Sequence, residues 1–130
     1  TICSRGTPVS PSTASRSKSD PANRALNTAL IMIRIWGLAP SALKVCQELY
    51  MAHPSEIGRV VGGAPDEVKS LAIFGHNPSF TMFANMFLSD PLDNLPTAGV
   101  VRVTFECKSW KRISRESVSG TFVDYPKKGD

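Results

Sequence analysis

The chain has 130 residues and a formal net charge of +4, with hydrophobic and charged fractions of 42% and 20%. A length of this order closes one core without staples, and the composition excludes a fibrous repeat and wholesale disorder. Its three cysteines, Cys3, Cys46 and Cys107, are odd in number and widely spaced, which argues against a disulfide framework or a C-x-x-C zinc site and fits a reducing cytoplasm.

The best candidate for a membrane span, ALIMIRIWGLAPSAL, is broken by Arg34 and Pro40 and falls short of the ~18 apolar residues a span requires. The opening stretch TICSRGTPVSPSTAS lacks the apolar core of a signal peptide. The expectation is a soluble, cytoplasmic protein with no membrane partner. The basic residues are scattered apart from the short clusters KSWKR and PKK, with no aromatic-rich motif beside them, so they read as a solvated face and no nucleic-acid partner is expected.

Residues 1–19 are rich in Ser, Thr, Pro, Arg and Lys and poor in large apolar side chains. They bury too little to offset the entropy of ordering, and read as a disordered or loosely attached arm before a domain spanning 20–130. Asp20 suits a helix cap and Pro21 the first helical position, after which Ala22, Ala25, Leu26, Ala29, Leu30 and Ile33 recur at three- and four-residue steps. Gly37 and Pro40 end that helix.

Next, KVCQELY reads as a short strand entering a loop, and Pro54 opens a short helix that Gly62 and Gly63 stop. A helical turn is expected through PDEVKS. LAIFG is a continuous apolar run of the kind covered on both faces in parallel sheets. The following helix carries Phe80, Phe83, Ala84, Phe87 and Leu88 on one face until Asp90 and Pro91, with Met82 and Met86 as core fillers. GVVRVTFEC and GTFVDYP complete the strands. Helices alternating with strands predict an α/β sandwich with a largely parallel or mixed sheet.

Ligands in open α/β sheets gather beyond the carboxyl ends of strands. His76 stands there, and Asn77, Pro78 and Ser79 lead into a helix whose N-terminal N–H groups favour an anion such as phosphate. Arg24, in the first turn of the first helix, offers a forked, permanently charged donor set suited to phosphoryl oxygens. His53, before Pro54, reads as a cap or surface histidine. Nothing singles out Glu48, Glu56 or Asp93 as a proton donor, and Thr97 and Gly99 read as a turn into a strand near the pocket.

Three co-linear segments, SDPANRALNTALIM, LAIFGHNPSFTMFANMF and DNLPTAGVVRVTFECKSWK, resemble the SixA-type phosphohistidine phosphatases of the histidine phosphatase, or phosphoglycerate mutase-like, superfamily. The resemblance runs from about Asp20 to Pro126. It implies a three-layer α/β/α domain and hydrolysis of phosphate from a phosphorylated histidine in a partner protein, without cofactor or metal. It also implies that Arg24 and His76 are catalytic and that Arg24, His76 and Asn77 bind phosphate.

In that family the nucleophilic histidine belongs to an Arg-His pair directly after a first strand that is central in the sheet. No Arg-His pair occurs in this chain. The expectation is therefore that the family's first strand is absent, either because the sequence is incomplete at its N-terminus or because the nucleophile has been lost. The alternative to a phosphatase is a non-catalytic phosphate- or phosphoprotein-binding remnant.

Overall fold

In a computed structural model, residues 2–5, 15–19, 23–96 and 99–126 are described. The elements in chain order are β1 (Ile2–Arg5), β2 (Ser15–Ser19), α1 (Asn23–Ile35), β3 (Leu43–Val45), α2 (Pro54–Gly62), β4 (Ser70–Phe74), α3 (Ser79–Asn85), β5 (Val100–Phe105) and β6 (Val118–Asp124). Short 3₁₀ turns at Pro40–Ala42, Gln47–Leu49, Trp110–Arg112 and Arg115–Ser117 link them. The fold is mixed α/β, with a sheet ordered β3-β2-β4-β1-β5-β6. β2 is parallel to both β3 and β4, and β1 is parallel to β5. β1 against β4 and β5 against β6 are antiparallel.

Most elements follow from local pattern. Pro54 opens α2, and His53 before it makes a reciprocal capping box with Glu56. Leu71, Ala72 and Ile73 of β4 are all buried, as a strand covered on both faces requires. α3 ends at Asn85, earlier than its apolar run, because the Asn85 amide bonds Leu92 twice, donating to its carbonyl and accepting from its N–H at 2.8 Å each. Phe87 and Leu88 remain buried beyond it through tighter i→i−3 turns. The turn at PDEVKS carries one bond, Val68 N–H to the Pro65 carbonyl at 3.1 Å, and forms no helix.

The expected arm over 1–19 contains two strands. β2 reads Ser-Arg-Ser-Lys-Ser, too polar to signal burial, yet Ser17 and Ser19 are 1% and 0% exposed. Ser17 stands beside Ala72 and Ser19 beside Phe74 in a parallel register, so these side chains share one face of the sheet. Ala25, Ala29 and Ile33 are the buried residues of α1, which packs on β2, β3 and β4. Small residues on both sides let helix and sheet approach closely. Trp36, just past α1, lies against Phe74 with ring centroids 6.5 Å apart. The remainder of the arm, and Asp20 and Pro21 at the helix start, fall outside the described residues.

The alternate residues of β4, Leu71 and Ile73, join the main core with Val101, Val103 and Phe105 of β5, Ile57 and Val61 of α2, and Phe80 and Phe83 of α3. Phe87 packs edge-on against both Phe83 and Phe105, at 5.3 and 5.0 Å. Trp110 is buried and donates its indole N–H to the Val68 carbonyl at 2.8 Å. No helix among the described residues is long and apolar enough to cross a membrane.

Replacing Trp110 with Phe removes the indole hydrogen bond to the Val68 carbonyl and leaves a small void, so a loss of about 2 kcal/mol is expected in urea unfolding. An unchanged midpoint would show that the indole hydrogen bond contributes nothing.

Candidate functional site

β2 and β4 are adjacent and parallel, with Ser19 opposite Phe74. The chain therefore leaves both strands at one edge of the sheet, about 4.8 Å apart. From β4 it passes through Gly75 to His76, whose side chain is exposed. From β2 it reaches α1, where Arg24 stands exposed in the first turn. Three residues separate Ser19 from the start of α1, a gap that bridges at most ~14 Å. The backbone stations of the expected arginine and histidine are thus brought to one end of the sheet. Their helices take different faces: α1 lies over Ser17, Ser19 and Ala72, whereas α3 shares the core of Leu71 and Ile73.

The glycine before His76 has a steric cause. A Cβ on Gly75 would overlap the ring of Phe80, which folds back from the first turn of α3 and fastens the strand end to the helix. Next in line, Asn77 spends both ends of its amide inside the fold. Its Nδ2 donates to the Leu95 carbonyl at 2.6 Å, and its Oδ1 accepts from the Thr81 N–H at 3.2 Å and the Thr81 hydroxyl at 2.7 Å. The same hydroxyl accepts from the Leu95 N–H at 2.9 Å. The Asn77 side chain thus pins the loop before β5 to the start of α3.

The first turn of α3 is also engaged. Phe80 N–H donates to the His76 carbonyl at 3.4 Å and Met82 N–H to the Pro78 carbonyl at 3.0 Å, alongside the Thr81 bond. With those donors used and only seven residues in the helix, α3 offers little of the anion-binding terminus expected from its sequence. Arg24 and His76 both stand exposed toward this end of the sheet.

His53 caps α2 as its sequence suggests. Its Nδ1 accepts from the Ser55 N–H at 3.4 Å, while its own N–H donates to Glu56 Oε1 at 3.2 Å. Glu56 is occupied in that box. Thr97 lies outside the described residues, and Gly99 sits in a tight turn where its N–H donates to the Pro96 carbonyl at 2.8 Å. Among the described residues no group of His, Cys, Asp and Glu could hold a metal ion.

Two polar groups missed at the sequence level lie beneath this edge. Lys18 points to the face opposite Ser17 and Ser19 and donates to the Val60 carbonyl in the last turn of α2 at 2.8 Å, where a cation complements the helix dipole. Burial pushes its ammonium below the ordinary lysine range. Cys46, buried after β3, has its N–H on the Ser19 carbonyl at 2.7 Å. Burial pushes the Cys46 thiol up, against the opposing influence of Lys18. The run Ser-Arg-Ser-Lys-Ser carries no sequence signal that turns Lys18 inward; its partner 42 residues away does so.

A cavity of about 690 Å³ lies elsewhere, between α2, the end of α3 and the Trp110–Arg115 segment. The Trp110–Val68 bond places it toward the amino end of β4, away from His76. Neither Arg24 nor His76 lines it. Comparison with family models, with curated proteins and with solved structures gives no match for this chain.

Asn77→Ala removes three hydrogen bonds and strands the Leu95 carbonyl, so a loss of about 2–3 kcal/mol is expected in urea unfolding; a shift below ~0.5 kcal/mol would contradict the pinning role. The buried Cys46 has its folded-state pKa raised, so its protonated form favours folding below the unfolded thiol's pKa. That contribution is lost as pH rises through the folded pKa. At pH 8, alkylation of native protein followed by peptide mapping should label half-buried Cys107 at least ten times faster than Cys46.

Proposed function

We propose that this chain is a SixA-type phosphohistidine phosphatase-like domain in which Arg24 and His76 hold the phosphoryl group of a phosphorylated histidine in a partner protein. The observation that carries the reading is the parallel pairing of β2 with β4, from whose common carboxyl edge the chain goes on to α1, with Arg24 in its first turn, and to His76. A three-layer α/β/α arrangement is part of the same reading, supported by α1 on the face of Ser17 and Ala72 and by α2 and α3 in the core of Leu71 and Ile73. A cytoplasmic location accords with the reduced thiols of Cys46 and Cys107.

A guanidinium presents two parallel N–H donors to equatorial phosphoryl oxygens, and an imidazole adds one more. Such donors stabilise the charge of an in-line displacement without metal or cofactor. In an intact member of the family, a histidine attacks phosphorus, the leaving imidazole departs, and water then cleaves the phosphoenzyme. The attacking histidine is the part this chain lacks.

One observation favours the non-catalytic reading for this chain. β1 fills the position between β4 and β5, as a central first strand would, but it runs antiparallel to β4, with Ser4 beside Ser70. Its carboxyl end therefore lies at the amino end of β4, the far edge from His76. A nucleophile following this strand would be delivered to the wrong side of the sheet. Binding without turnover follows.

The test is calorimetry with inorganic phosphate and with a protein chemically phosphorylated on histidine, alongside phosphate release from the latter. Saturable binding is expected, weakened at least tenfold, or about 1.4 kcal/mol, in Arg24→Ala and in His76→Ala, with release no faster than spontaneous loss. Catalysed release would establish the phosphatase reading over the binding one. Absence of both binding and release would end both.

A further inference from the structure

The cavity at the amino end of β4 combines an apolar floor with a cationic rim. Phe83, Phe87 and Trp110, only 1%, 6% and 1% exposed, back it from the core, while Met86, 49% exposed, and half-buried Ile113 present the apolar surface. The sequence reading takes Met82 and Met86 as core fillers, yet both are about half exposed, at 51% and 49%. Phe80, Phe83, Ala84 and Phe87 already occupy the inward face of the short α3, which leaves the methionines outside. Met86 thus presents a flexible thioether to the opening, a side chain that adapts to varied apolar guests.

The wall formed by α2 is cut back. Gly58 and Gly62 stand one turn apart and both line the cavity. A Cβ at Gly58 would lie 3.7 Å from the Phe83 ring and one at Gly62 3.8 Å from the Lys111 Cα, which are ordinary contact distances. Packing therefore tolerates alanine at both positions; Gly62 ends the helix, but Gly58 lies inside it, where glycine costs about 1 kcal/mol against alanine. A local rule broken without a folding need points to a site. What the missing side chains provide is open space.

Charge narrows the guest. Arg59 on α2, with Lys111 and Arg115 on the opposite wall, line the cavity, and no carboxylate does. Glu116, next to Arg115, is exposed and lies outside the lining. Three like charges over an apolar floor repel a cation, gain little from a neutral chain, and attract a molecule that is apolar along its body and acidic at one end. The volume, about 690 Å³, falls in the range of sites that enclose small molecules.

We propose that this cavity binds an amphipathic carboxylate, its hydrocarbon body laid on Met86 and Ile113 above the buried Phe83, Phe87 and Trp110, and its acid group held by Arg59, Lys111 and Arg115. The site is separate from the carboxyl edge and stands without the phosphoryl-binding reading.

The probes are decanoate, decanol and decyltrimethylammonium, each below its aggregation limit, followed by amide and indole N–H chemical shifts of the full chain. Decanoate should shift Met86, Lys111 and the Trp110 indole N–H saturably, and bind at least ten times more tightly than decanol, with no shift from the cation. The exposed double replacement Lys111→Glu with Arg115→Glu should erase the advantage of acid over alcohol. Gly58→Leu, if its spectrum stays native elsewhere, should abolish both.

Equal binding of acid and alcohol would overturn the proposal, as would shifts centred on Ile31 and Ile35 of α1. So would shifts of the cavity residues with protein concentration alone, which would mean that a second copy covers them. Undiminished decanoate binding after charge reversal would overturn it even if Gly58→Leu fails to fold.

Discussion

The arrangement rests on a strand that has almost nothing apolar in it. β2 is flanked on both sides by parallel partners, β3 and β4, and its backbone groups are satisfied by that double pairing. Ser17 and Ser19 present only small side chains toward α1. A larger residue at either position would push the helix away from the sheet. The Ser17 hydroxyl has no hydrogen-bond partner among the described residues, a cost accepted where small volume matters more than a satisfied polar atom. The edge bearing Arg24 and His76 exists because this strand is held in place.

The opposite face of β2 shows the same economy by other means. Lys18, half-buried on that face, ends on the Val60 carbonyl, joining the second strand of the sheet to the end of α2. The ammonium is partly desolvated there, and the helix terminus offsets part of that cost. α2 is thus fixed at its start by the His53–Glu56 box and at its end by a lysine from the sheet. That fixed helix is also the wall of the cavity, so its two glycines hold a space of settled shape.

The two ends of the sheet divide the chemistry. The carboxyl edge carries exposed Arg24 and His76 above a loop framework that Asn77, Thr81 and Leu95 tie together. The amino edge carries an apolar cavity with a basic rim. The direction of β1 separates them further, because a central strand antiparallel to β4 contributes its carboxyl end to the second edge.

What could be read from residues alone was what depends on local pattern. The α2 start at Pro54, the doubly covered run of β4, the inward phenylalanines of α3 and the capping role of His53 all follow from spacing and side-chain type, which act over one or two turns. Arg24 and His76 were singled out on similar local grounds, as a forked cation at a helix start and an imidazole after a strand end. Tertiary structure decided the rest: that Ser-Arg-Ser-Lys-Ser is a buried strand, that Asn77 is spent on Leu95 and Thr81, that Lys18 turns inward, and that KSWKR gives Trp110 to the core and Lys111 to a rim. Each of these depends on partners 14 or more residues away in the chain, apart from the Asn77–Thr81 contact. A polar strand carries no periodic mark of its burial, because what buries it is the volume and hydrogen bonding of its neighbours.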